Sequence, residues 1–186
     1  DQFAKELDED KAIEILAAEA KSSPVGAKGL LMLPYFSGER TPIHDANAKG
    51  VFFGLNLTHN RADMFRAMIE GIAYGTRHVT DTFSELGQPP STLFAVGGGT
   101  KNSLWTQATS DITGINQKVR EKTIGASYGN AFMAALAIGQ VQKEDISIWN
   151  PISKKITAKQ NSTYNYNYNI FIELYKNTKE LMSKIQ

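Results

Sequence analysis

The sequence contains no cysteine. Disulfides, thiol catalysis and cysteine-based zinc sites are thereby excluded. Histidine is scarce: His44, His59 and His78 are never four residues apart, so no helical pair is offered to a metal. No apolar run approaches the ~18 residues of a membrane-spanning helix. The opening Asp1-Gln2-Phe3-Ala4-Lys5 is too polar for a secretory signal. An excess of one charge is also missing. The 20 Lys+Arg against 19 Asp+Glu leave +1, too weak a bias to argue for nucleic acid. The first residue is not methionine, as after processing or in a piece of a longer protein.

What is present is ordinary globular material: 186 residues, 41% hydrophobic and 21% charged, which excludes whole-chain disorder and suits one domain over 1–186. Asp8, Glu9 and Asp10 stand where the positive end of a helix favours acid, and Ile13, Leu16, Ala17 and Ala20 then recur at helical spacing. The short apolar runs at 29–34 and 51–55 read as strands, with Gly54 marking a close backbone approach. Asn60 is placed to cap a long helix with Met64, Met68, Ile69, Ile72 and Val79 on one face. Gly71 and Gly75 each cost that helix ~1 kcal/mol against alanine, which predicts tight packing at both. A strand at 93–96, a helix from Asn102 or Ser103 to the stop at Gly114, a strand at 117–120 and a small-residue helix at 126–138 follow. Residues 150–186 read as a polar extension, its alternating Tyr164, Tyr166 and Tyr168 extended, and then a final helix. The order α-β-β-α-β-α-β-α-α predicts a layered α/β domain.

The strongest local signal runs from Phe94 to Trp105: a strand, then Gly97-Gly98-Gly99, then a helix. Glycines let the backbone turn sharply and approach a ligand, and the helix start beyond them offers free N–H groups to phosphate. No Gly-Lys-Ser/Thr closes the loop, so it is not a Walker A loop, and it lacks the third glycine of a dinucleotide fingerprint. A tight strand-to-helix turn with no ligand accounts for the triplet equally well. In Gly38-Glu39-Arg40-Thr41-Pro42, Glu39 is a candidate base and Arg40 a candidate anion clamp; the structural alternative pairs Arg40 with Asp45. The three histidines read as surface or helix-end residues, Glu70 as either inward-bonded or solvated, Asp111 as a cap for a neighbouring element, and Trp105 as core. Gly125, Ala126 and Gly129 allow a close approach, to a nucleotide or to a sheet. The tyrosine row near Lys154, Lys155 and Lys159 is a weak candidate for RNA stacking.

These pieces in this order resemble the FGGY family of carbohydrate kinases. The carrying residues are 33–42 (Leu-Pro-Tyr-Phe-Ser-Gly-Glu-Arg-Thr-Pro), 50–55 (Gly-Val-Phe-Phe-Gly-Leu), 66–74 and Gly97-Gly98-Gly99. Trp105, Gln107, 111–114 and the stretch from Gly125 to Gly139 complete them. The wording is most similar to the xylulokinase subgroup, with gluconate-type kinases close behind. Thr100, Asn102 and Ser110 depart from the usual Ala, Ser and Ala.

The resemblance implies an actin-like, ribonuclease-H-like fold, a mixed sheet flanked by helices, of which this chain is the C-terminal, nucleotide-holding domain. It implies ATP and Mg2+ as cofactors, a sugar as substrate, the chain's own N-terminal kinase domain as partner and the cytoplasm as location. A second copy is a further candidate partner; nucleic acid and membrane are not. It assigns Gly98, Gly99 and Thr100 to the phosphates and ribose, Asn102 and Ser103 to the adenosine, Gly125 and Ala126 to the base, and Arg40 to the substrate cleft. The catalytic base is expected outside this chain, and no metal ligand within it. A free-standing actin-like nucleotide-binding regulator is the alternative.

Overall fold

The computed structural model describes residues 5–8 and 11–185. Its elements are α1 (Ala12–Ala20), β1 (Leu31–Pro34), β2 (Gly50–Phe53), α2 (Arg61–Glu85), β3 (Leu93–Ala95) and α3 (Ser103–Thr113). Then come β4 (Gln117–Arg120), α4 (Ala126–Ala137), α5 (Ile146–Trp149), β5 (Ile152–Ile156) and α6 (Ser162–Met182). The order matches the expected one up to α4, and the structure inserts α5 and β5 before the last helix. Glu9 and Asp10 lie outside the described residues; Glu14 is the acid in the first turn of α1.

Two sheets form. β1 and β2 pair antiparallel, with Leu31 opposite Phe53. β4 is the centre of a mixed sheet, parallel to β3 and antiparallel to β5. One face of that sheet is apolar because Val119 of β4 and Ile156 of β5 are buried there, beside Gln117, whose amide donates to Thr106 O and Ser110 Oγ of α3. A buried glutamine without such acceptors costs roughly 1–3 kcal/mol.

α2 is the spine. Asn60 and Asp63 close a reciprocal capping box at its start. Buried Asp63 also accepts from Ser23 Oγ at 2.7 Å and Lys28 Nζ at 2.9 Å. Burial alone would raise its pKa; the Lys28, Ser23 and Asn60 donors outweigh burial and bring it down to about 2. Gly71 lies against β1: a Cβ there would stand 2.3 Å from Met32 O. Gly75, by contrast, has nothing within 4 Å, so the packing expected at this second glycine is absent among the described residues. Gly54 behaves as expected, with φ +88° and room for a Cβ only 3.0 Å from Gly29 O.

The extended reading of the Tyr-Asn alternation is corrected. Asn161 accepts from Thr163 N at 2.9 Å and starts α6. Tyr164 and Tyr168, four residues apart, then face the core beside Tyr74 and Phe171, while Tyr166 is 69% exposed. Burial of a side chain the size of Phe171 contributes roughly 2–3 kcal/mol, and at a polar-looking helix start that burial selects the 3.6-residue period over the 2-residue one. Tyr164 and Tyr168 are therefore core residues, and of the row only Tyr166 stays on the surface. β5 escaped the sequence reading because it is Ile-Ser-Lys-Lys-Ile at the sheet edge, with four of five residues exposed. α4 buries only Phe132, and Gly129 meets nothing within 4 Å. Among the described residues, no helix is long and apolar enough to cross a membrane.

Candidate nucleotide site

Gly97 leaves β3 with φ +85°, a conformation open to glycine, and its N–H donates to Thr123 O at 3.0 Å. Residues Gly98–Lys101 make a single 3-10 turn. Thr100 Oγ1 bonds back to Gly97 O at 2.8 Å, so this side chain closes the turn on itself. Asn102 N donates to Gly99 O at 3.1 Å, and its carboxamide oxygen accepts from Leu104 N and Trp105 N at 3.0 and 3.1 Å. Asn102, not Ser103, is thus the cap of α3.

The turn forms one wall of a cleft of about 720 Å³. Gly98, Gly99, Asn102 and Ser103, all expected at the site, line it together. Its floor is the apolar face of α2, with Met68, Ile69 and Ile72, and the opposite wall is α1, with Glu14, Ala17 and Lys21. Lys101 and Trp105 complete the turn side. The pattern of α1 carried no sign that it faces a cleft, since its small residues read as core. Trp105, whose helical spacing points to the core, is half-buried and lines the cleft as well.

The other expected residues sit elsewhere. Gly125 lines a separate cavity of about 220 Å³ with Phe94, Arg120, Tyr128 and Trp149, and Ala126 starts α4 beside it. Arg40 is exposed in the loop after β1, and its guanidinium has no partner among the described residues. The local pair with Asp45 does not form. Asp45 instead accepts from Tyr175 Oη at 2.8 Å and exchanges backbone hydrogen bonds with Glu39. The Tyr175 hydroxyl is pushed up to about 12 by burial and by that carboxylate. Glu39 receives Thr41 N–H at 3.1 Å.

Glu70 turns inward. Its Oε1 accepts from Arg66 Nε at 2.7 Å, from Gly26 N and from Tyr164 Oη. Burial pushes Glu70 up, and the Arg66 guanidinium opposes that shift. The group ties α2 to α6 and to the turn before β1; it is structural. Asp111 is structural but caps no element among the described residues: its Oδ1 accepts from Lys159 N in the loop before α6 and from Gln107 Nε2, both at 2.7 Å, while the cap of α6 is Asn161. His78 is not at a helix end: it lies within α2, half-buried, and desolvation lowers its pKa. No three His, Asp or Glu side chains among the described residues converge on a point that would hold a metal ion.

A glycine turn leading into a capped helix, over an apolar floor, has the chemistry to suit a ligand with anionic and flat apolar parts. Comparison with known proteins names the class. The model of the FGGY family of carbohydrate kinases, C-terminal domain, matches residues 1–138. A xylulose kinase of Staphylococcus epidermidis is 32% identical over 181 residues, 95% of this chain and 36% of that protein. The crystal structure of xylulose kinase from Rhodospirillum rubrum superposes with a TM-score of 0.84 at 30% identity, over 97% of this chain and 38% of that one. A gluconate kinase from Lactobacillus acidophilus follows with a TM-score of 0.81 at 27% identity, over 92% and 36%. The chain belongs to the FGGY family of carbohydrate kinases and carries the actin-like fold of its C-terminal domain. It spans between a third and two fifths of the length of these relatives.

Proposed function

We propose that this chain is the nucleotide-binding part of a longer, ATP-dependent, cytoplasmic sugar kinase, with a pentulose such as D-xylulose as acceptor. The observation that carries the reading is Gly98. Its φ is not in the glycine region, and a Cβ would meet nothing within 4 Å, so neither backbone conformation nor packing calls for glycine there. Gly75 and Gly129 are equally open, but Gly98 lines the cleft, where a ligand seated against the backbone would require a glycine. In this reading the phosphates lie along 98–101, against the cleft side of the glycine turn; the N–H groups of Leu104 and Trp105 at the start of α3 are already taken by the Asn102 carboxamide. The nucleoside lies over Met68 and Ile72, Asn102 and Ser103 border it, and Lys21 and Lys101 balance the charge. Mg2+ arrives with the phosphates, since the described residues contain no carboxylate cage of their own.

Phosphoryl transfer depends on positioning and charge stabilisation more than on covalent chemistry. The part this chain plays is to hold the donor still. In this reading the base that takes the proton from the sugar hydroxyl belongs to the rest of the longer protein, and Arg40, exposed away from the nucleotide cleft, would face the interdomain cleft that closes over the sugar and excludes water. Gluconate is the second reading for the acceptor, supported by the gluconate kinase neighbour. A phosphorylation assay of the full-length product on D-xylulose against gluconate separates the two.

The nucleotide reading is tested by calorimetric titration of MgADP into the chain. Saturable binding, weakened about tenfold or more by Gly98→Ala at an unchanged thermal midpoint, is the expected outcome. A folded chain that binds no MgADP removes the site from this domain.

A further inference from the structure

Of the three consecutive glycines, only Gly99 lacks room for a side chain. A Cβ on it would stand 3.0, 3.2 and 3.4 Å from Cζ3, Cε3 and Cη2 of Trp105, whereas Gly97 and Gly98 have nothing within 4 Å. The atoms met all belong to the six-membered ring of the indole. Trp105 is itself held at three places. Its N–H donates to the Asn102 carboxamide at 3.1 Å, its carbonyl accepts from Thr109 Oγ1 at 2.9 Å, and its ring packs on the main core cluster. Asn102 N–H returns to Gly99 O at 3.1 Å. Gly99, Asn102 and Trp105 therefore form a closed unit: the backbone of the turn is bonded to the cap, the cap to the helix, and the ring of the helix residue abuts the turn.

We propose that Trp105 is a positioning residue for the nucleotide: its indole is the stop against which Gly99 rests, and it sets the height of the 98–101 turn above the floor formed by α2. The inference rests on the nucleotide reading of this cleft. Its physical content is that the ring limits how far the turn settles toward α3, and that a methyl group at 99 requires the ring or the turn to give by a few tenths of an ångström. Hydrogen bonds to phosphate weaken steeply with such displacements. Trp105 thus acts through Gly99, and the absence of a side chain at 99 and the size of the ring at 105 are one requirement.

The test is a double-mutant cycle on Gly99→Ala and Trp105→Phe, reading MgADP affinity by calorimetry and the thermal midpoint in parallel. Gly99→Ala is expected to weaken MgADP about tenfold and Trp105→Phe a few-fold. The double variant is expected to bind more tightly than Gly99→Ala alone, because removing the six-membered ring leaves space for the methyl group. Effects on affinity that multiply independently, or an unchanged affinity in Gly99→Ala, overturn the proposal. Coupling seen in the thermal midpoint alone assigns the contact to stability and overturns it too. If Gly99→Ala does not fold, Trp105→Phe decides: weaker MgADP at an unchanged midpoint supports the proposal, and unchanged affinity overturns it. A wild-type chain that fails to bind MgADP refutes the nucleotide reading and this inference with it. Binding without coupling refutes the inference only.

Discussion

At the scale of single residues, two glycines on one helix make opposite demands. A methyl group on Gly71 would meet the Met32 carbonyl at 2.3 Å, a backbone atom that cannot swing aside. Gly71→Ala should therefore destabilise the chain by about 2 kcal/mol or more, since the overpacking exceeds the gain in helix propensity. Gly75→Ala meets nothing and should stabilise by up to about 1 kcal/mol. Denaturant titration of the two variants gives both signs in one experiment; equal shifts would refute the packing account. Asp63 adds a pH dependence. Its folded-state pKa of about 2 lies below the ordinary carboxylate value. The stability it contributes is thus complete above an unfolded value of about 3.9 and lost as the pH falls toward 2. Asp63→Asn should cost about 2 kcal/mol at neutral pH and flatten the stability profile between about pH 4 and 2.

The elements show how a cap can serve fold and site together. Asn102 ends the glycine turn and starts α3 through the same side chain. Asn102→Ala is expected to cost about 1 kcal/mol of stability and to weaken MgADP, whereas Asn161→Ala, the cap of α6, should cost a similar amount and leave MgADP unchanged. Thermal midpoints and calorimetry on both variants check this. α6 lies beyond residues 1–138 matched by the family model, yet its Tyr164, Tyr168 and Phe171 pack on Tyr74 of α2. It also reaches the loop after β1 through Tyr175 and Asp45. Residues 150–186 thus supply the third strand of the mixed sheet and a wall of the core.

For the whole molecule, the surface is as informative as the core. On α4 Met133 is 62% exposed and just after it Ile138 is 75% exposed, with only Phe132 of the helix buried. Exposed apolar surface of this kind is a candidate contact for the rest of the longer kinase we propose. In the chain by itself it should promote self-association that rises with concentration, and Ile138→Lys should reduce it without lowering the thermal midpoint. Sedimentation velocity measures the former, and a monomer at every concentration would refute the expectation. The chain alone should transfer no phosphate to D-xylulose.

Eight elements up to α4 and the glycine turn were legible in the residues, because strand-glycine-helix punctuation and apolar spacing are local properties. The caps Asn60, Asn102 and Gly114 are local for the same reason. β5 and the start of α6 were not legible. An edge strand of Ile-Ser-Lys-Lys-Ile is defined by the neighbour it pairs with, and the Tyr-Asn alternation fits two periods until a core exists to bury one of them. The sequence alone determined the family wording and the glycine turn. Only the tertiary structure decided that α1 faces Gly98 across a cleft, that Gly125 lies in a different cavity, and that a Cβ on Gly99 would meet the Trp105 ring. Each of these is a distance between residues far apart in the chain or turned toward one another by packing, and no local pattern encodes such a distance.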